Sequence, residues 1–204
     1  LTNLDKEHVI VLDLFSEVSP RNSALEAADT PWIWNMLHNF GGRMGLDANP
    51  EKVSQNIPNT YQNSEHMVGI GMTPEAIENS PMAYELLWDM TWTKDPIDFR
   101  QWCQDYAKRI YGGTNEDIEE VWNILLDTGY NRKDNYYQGA PESVINARPT
   151  TNFTSASSWG HSTINYDKEE LERAVYLMAK NYDEFKDSPA FIYDLSDITR
   201  PVSY

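Results

Sequence analysis

Cysteine is almost absent: a single residue, Cys103, excludes an internal disulfide framework and any clustered thiolate metal site. It lies in "DFRQWCQDYAKRIYG" at helical spacing with Phe99, Trp102 and Tyr106, where a small apolar core residue is expected. No apolar stretch approaches the ~20 residues of a membrane span. The N-terminus, "LTNLDKEHVIVLDLF", has no basic region followed by a cleavage site, so an export signal is expected outside this chain if the protein is exported. Basic residues are scarce, 16 against 32 acidic ones, and the net charge of −16 repels nucleic acid and anionic membranes. Neither is expected as a partner. The four histidines, His8, His38, His66 and His161, show no paired ligand spacing, so no metal is expected. "GIGMTPE" lacks the third glycine of a dinucleotide fingerprint, and no Walker lysine follows a glycine-rich loop. No cofactor is expected.

What remains is a chain of 204 residues, 40% hydrophobic and 12% aromatic, able to bury a core. It divides near residue 95. Three apolar runs precede that point: "HVIVLDLF" (8–15), "WIWNMLHNF" (32–40) and "MVGIGM" (67–72). Each predicts a strand, and hydrophobicity that is nearly continuous rather than alternating predicts a parallel α/β sheet covered on both faces. The intervals between them are long enough for crossovers but carry no clean amphipathic pattern. After residue 80 the period changes, and 81–92, 97–112, 115–131 and 168–185 place apolar residues three and four apart, as helices do. Between the last two, 130–167 is polar, aromatic and without period, a length that in a compact protein points to a functional loop.

In parallel α/β architectures ligands gather at the carboxyl ends of the strands. Those ends carry Asp13 and Glu17, then His38 and Asn39 before Gly41-Gly42, then Glu75. Polar residues also mark where strands simply stop. With phosphate and metal chemistry set aside, carboxylates remain, and a carboxylate among amide and imidazole neighbours beneath an aromatic loop suits a sugar site.

Four blocks in order, "VLDLFSE", "PWIWNMLHNFGG", "MVGIGMTPEAI" and "SPAFIYDLSDITR", closely resemble motifs of the α-N-acetylglucosaminidases of glycoside hydrolase family 89. The resemblance covers nearly the whole chain. It implies an α/β fold: the C-terminal part of a (β/α)8 barrel over 1–94, followed by the first part of an α-helical domain over 95–204. It implies a retaining hydrolase that removes terminal α-linked N-acetylglucosamine from glycans, with Glu75 of "GMTPE" as the catalytic nucleophile. Trp34, His38 and Asn39 resemble pocket-wall and supporting residues around the sugar, and Trp159 of "SSWGH" a residue of the loop that closes over it. For Trp34 the alternative is a core tryptophan between strands.

The family's acid/base glutamate belongs to an earlier strand with an Asn-Glu signature, and that segment does not occur here. The expected partners are therefore a glycan ending in α-linked N-acetylglucosamine and the remaining barrel segment of the same protein. A retaining mechanism needs two carboxyl groups about 5 Å apart. From the residues alone Glu17 is a candidate for the second, although the family pattern gives it no such role. A non-catalytic carbohydrate-binding module is the alternative function. The expected location is secreted or extracellular for a bacterial source and lysosomal for an animal one. "NFT" at 152–154 is a glycosylation sequon, meaningful in a eukaryotic source.

Overall fold

A computed structural model describes residues 3, 5–38, 46, 49–75, 79–130, 149, 151–152 and 166–203. The first part alternates strand and helix: β1 (Val11–Leu14), α1 (Asn22–Ala27), β2 (Trp32–Met36), α2 (Pro50–Gln62), β3 (Met67–Met72) and α3 (Pro81–Trp92). The three strands form one parallel sheet in the order β1-β2-β3.

The third apolar run is a strand over the length the sequence predicts; the other two are shorter. The first begins at Val11, because His8 is held in a turn by bonds to Asp5 from its amide (3.1 Å) and its Nδ1 (3.0 Å). The second stops at Met36, because His38 takes a φ of 61°, in the left-handed region that no strand passes through. Both crossover intervals contain helices. The inward side of α2 carries Pro50, Ser54 and Pro58 beside Val53 and Ile57, which hides its amphipathic pattern.

The sheet has two unlike faces. Trp32, Trp34 and Met36 alternate onto one and are buried in a core with Leu25, Val53, Ile57, Leu86 and Leu87 from the helices. The opposite face carries Ile33 and Asn35, with Leu12 and Leu14, which are 50% and 51% exposed. Between Trp32 and Ile33 the register with β3 shifts, so that Ile33 pairs with Gly69 and Val68 has no opposite number. Gly71 sits against Asn35: a Cβ there would come within 2.8 Å of Asn35 Oδ1 and 3.3 Å of Ile33 Cγ2.

The second part is helical: α4 (Phe99–Tyr111), α5 (Glu116–Ile124), a π-helical turn (Leu125–Gly129), α6 (Lys168–Lys180), α7 (Tyr182–Phe185) and α8 (Pro189–Val202). Side chains cap these helices. Asp98 accepts from the Gln101 amide, Asn115 from Ile118 and Ser188 from Phe191. Gly112, at φ 81°, ends α4 in the left-handed conformation. The segment expected as one helix over 168–185 is broken at Asn181, whose side chain donates to Asp117 Oδ2 (2.8 Å) and to the Leu177 carbonyl (2.9 Å). The predicted helix over 115–131 becomes α5 plus the π turn. The division expected at 94/95 falls in the connection 93–98, and the apolar core runs across it, from Leu86 and Met90 to Phe99, Cys103 and Tyr106. The Trp102 indole donates to Asp89 (2.8 Å), and Arg109 pairs with Glu85, tying α4 to α3.

Candidate functional site at the carboxyl ends of the strands

The carboxyl ends of the three strands meet in a layer built largely from backbone. After β1, Phe15 turns the chain with a φ of 74°. The Ser16 amide then donates to the Asn35 carbonyl (3.1 Å), and the Glu17 side chain reaches over β2. Glu17 Oε1 accepts from the Leu37 amide (3.0 Å) and the His38 amide (2.6 Å), both buried. After β3, the Thr73 amide donates to the Met36 carbonyl (2.9 Å), extending the ladder by one bond. Asn35 Nδ2 donates to Thr73 Oγ1 (2.6 Å). Glu75 lies three residues beyond the last residue of β3 and is exposed. The non-glycine residues Phe15 and His38 in the left-handed region each cost on the order of 1–3 kcal/mol, and such strain collects at sites where the chain's path is specified.

His38 links this layer to the start of α3. Its Nε2 accepts from the Ser80 amide (3.0 Å), which requires that nitrogen to be unprotonated. The Tyr84 ring packs edge-on against the imidazole, centroids 5.4 Å apart at 82°. The Tyr84 hydroxyl donates to Asn79 Oδ1 (2.8 Å). Its phenol is pushed up to about 12, by burial first and then by the negative charge of Glu17, so it stays protonated at neutral pH. Ser80 caps α3 and shares a hydrogen bond with the Tyr130 hydroxyl (3.1 Å).

The expected site residues therefore separate. His38 follows the carboxyl end of β2 and Glu75 that of β3, two neighbouring strands of the sheet. Trp34, 1% exposed, lies on the helix-covered face within the apolar core. That corrects its expected place in a pocket wall: the register puts Asp13, Trp34 and Ile70 on one face, and Asn35 on the other. His38 turns its imidazole to the Ser80 amide and acts as a support within the layer. Glu17 is bound to two amides of the neighbouring strand end, the work of a structural carboxylate. Asn39 and Trp159 lie outside the described residues. Reading the residues singly missed Asn35, Thr73, Ser80 and Tyr130. Asn35 had a signal: it is the one polar residue in "WIWNM", opposite a glycine. No group of three or more His, Cys, Asp or Glu placed to hold a metal ion occurs among the described residues. Among them, no helix is long and apolar enough to cross a membrane.

Comparison with known proteins covers nearly the whole chain. The family model of the α-N-acetylglucosaminidase (NAGLU) TIM-barrel domain matches residues 1–94, and that of the NAGLU C-terminal domain matches residues 102–203. The human α-N-acetylglucosaminidase is 35% identical over 198 residues, a match covering 94% of this chain and 25% of that protein. A family 89 glycoside hydrolase from Clostridium perfringens, solved with 2-acetamido-1,2-dideoxynojirmycin, is 63% identical with a TM-score of 0.88, over 95% of this chain and 22% of that one. The same enzyme with PUGNAc gives a TM-score of 0.89 over 96% of this chain. A further structure of it, with two glutamates replaced by glutamine, holds its substrate GlcNAc-α-1,4-galactose. The chain thus spans about a quarter of the length of the relatives it matches.

Proposed function

The chain belongs to the α-N-acetylglucosaminidase family, glycoside hydrolase family 89, and on that premise we propose that it is part of a retaining glycosidase acting on terminal α-linked N-acetylglucosamine, with Glu75 as the nucleophile. The observation that carries this reading is the position of Glu75: an exposed carboxylate just past β3, on a parallel sheet whose neighbouring strand end is tied to β3 by Thr73 and Asn35. Ligand sites of parallel α/β folds form at that edge. The relative that holds its substrate does so with two glutamates replaced, which supports a site run by two carboxylates.

In the proposed reaction Glu75 attacks the anomeric carbon from the β face while the bond to the aglycone oxygen breaks. The second glutamate, supplied by the remaining barrel segment, protonates that oxygen as it leaves. Water, deprotonated by the same glutamate, then attacks from the α face, breaks the ester to Glu75 and releases the sugar with its α configuration. Asn39 and Trp159 are the proposed sugar contacts, the second as an aromatic face over the ring. The sheet face bearing Leu12 and Leu14 is the proposed barrel interior, covered by the remaining strands. An extracellular location for a bacterial source, or a lysosomal one for an animal source, belongs to the same proposal.

The test is Glu75→Ala in the full-length protein with azide and an activated aryl α-N-acetylglucosaminide. Activity should fall by several orders of magnitude, and azide should restore turnover and yield the β-glycosyl azide, by a single inversion at the vacated face. An α-glycosyl azide would assign Glu75 the acid/base role instead. A variant within tenfold of the parent would move the nucleophile elsewhere.

A further inference from the structure

Residues 76–78 lie outside the described residues, and the described stretches on either side of them, 73–75 with Glu75 and 79–80, are each held by hydrogen bonds. In the first, Thr73 is held by the Met36 carbonyl (2.9 Å) and the Asn35 side chain (2.6 Å). In the second, His38 Nε2 takes the Ser80 amide (3.0 Å), Tyr130 shares a hydrogen bond with the Ser80 hydroxyl (3.1 Å), and the Tyr193 hydroxyl donates to the Asn79 carbonyl (3.3 Å). The first anchor and His38 come from the sheet. The two tyrosines come from the helical part, 50 and 114 residues along the chain from the atoms they meet.

Tyr130 is delivered by an unusual piece of backbone. It comes directly after the π-helical turn Leu125–Gly129, closed by the Tyr130 amide on the Leu125 carbonyl (2.8 Å). π turns are rare and concentrate at functional sites, because the extra residue re-aims the chain beyond the turn. Gly129 lets this turn seat against Leu46, whose Cδ2 would be 3.3 Å from an added Cβ. The Tyr130 phenol is buried, and burial raises it well above its ordinary range, so the hydroxyl stays neutral and keeps its bond to Ser80.

We propose that Tyr130 is a positioning residue for the nucleophile: through Ser80, the helical part of the chain fixes the far end of the Glu75 segment and holds the carboxylate in line with the anomeric carbon. The inference rests on Glu75 as nucleophile. A misplacement of about 1 Å costs ~10²-fold in rate. Loss of one of the several anchors therefore predicts a fall of about tenfold in kcat with KM within about threefold.

The experiment is Tyr130→Phe in the full-length enzyme, alone and combined with Glu75→Ala. Tyr111→Phe serves as the control, since that hydroxyl also bonds a partly buried partner, Asp194 (2.6 Å), without touching the segment. Tyr130→Phe should lower kcat about tenfold while Tyr111→Phe leaves it within twofold. In the Glu75→Ala background with azide there is no carboxylate left to position, so Tyr130→Phe should cost less than twofold there. A Tyr130→Phe enzyme with parental kcat, or a tenfold loss that persists in the azide-rescued background, overturns the proposal. Failure of azide to rescue Glu75→Ala at all, with Tyr130→Phe still slow, would instead count against the assignment of Glu75, so the two failures are distinguishable.

Discussion

Glu17 separates a structural from a catalytic carboxylate. Its Oε1 accepts two buried amides, those of Leu37 and His38, at 3.0 and 2.6 Å. Hydrogen bonds to a charged acceptor are worth about 1.5–3 kcal/mol and neutral ones about 0.5–1.5. Glu17→Gln keeps an oxygen in place but removes the charge, so about 1 kcal/mol should be lost per bond and about 2 in all. Glu17→Ala leaves both amides buried without this acceptor and should cost about 2–6 kcal/mol. Differential scanning calorimetry and aryl-glycoside kinetics on the full-length enzyme measure both sides of the question. Glu17→Gln should melt roughly 4–8 °C lower, if this part unfolds as a domain of 150–250 residues, and kcat should fall by no more than about tenfold. An acid/base glutamate changed to glutamine would lose ~10²–10⁴ in rate without that loss of stability. A Glu17→Gln enzyme with unchanged melting and a hundredfold or greater loss of kcat would refute the structural assignment.

Gly71→Ala should push Asn35 away from Thr73, because the new methyl would sit 2.8 Å from Asn35 Oδ1; overpacking of this kind costs about 1–3 kcal/mol, readable by urea denaturation, and kcat should fall with it. Asp194 is raised to about 7, by burial first, with the Tyr111 hydroxyl bond opposing and the Asp197 charge adding to the rise. The folded state then binds more protons than the unfolded one between roughly pH 4 and 7, so stability falls as pH rises through that window, by up to roughly 4 kcal/mol, and is flat above it. Asp194→Asn should flatten that slope in a series of denaturation curves, and a slope unchanged in the variant would count against it. Expressed alone, residues 1–204 should self-associate through the sheet face of Leu12 and Leu14 and should not hydrolyse an aryl α-N-acetylglucosaminide. A monodisperse, cooperatively melting monomer on gel filtration and calorimetry would contradict the first expectation, and Glu75-dependent turnover the second.

The parts of the fold legible in the sequence were those where one local signal decides. β3 is an apolar run bounded by turn residues, and its limits match. Helices α3, α4 and α5 begin at Ser80, Asp98 and Asn115, all good capping residues, ahead of a 3.6-residue apolar period. Less legible were features decided by tertiary contact. The end of β2 depends on the His38 backbone, fixed by a Glu17 carboxylate 21 residues away. The π turn ends at Tyr130, whose hydroxyl meets that of Ser80, 50 residues away. For Trp34 the family resemblance implies a pocket role, whereas the two-residue alternation with Trp32 and Met36 places it with the core. The expected role of Glu75 comes from its family motif alone; Thr73, Asn35, Ser80 and Tyr130, spread across nearly 100 residues, are linked in pairs only in three dimensions.

The central claim, that Glu75 becomes covalently bonded to the sugar, is tested most directly by trapping the intermediate. The full-length enzyme would be treated with a 5-fluoro-N-acetylglucosaminyl fluoride, whose ring fluorine slows hydrolysis of the glycosyl-enzyme more than its formation, then digested and sequenced by tandem mass spectrometry. One glycosylated peptide is predicted, containing "GMTPE", with the sugar on Glu75. A sugar found on any other carboxylate, or inactivation with an unlabelled Glu75 peptide, would contradict it.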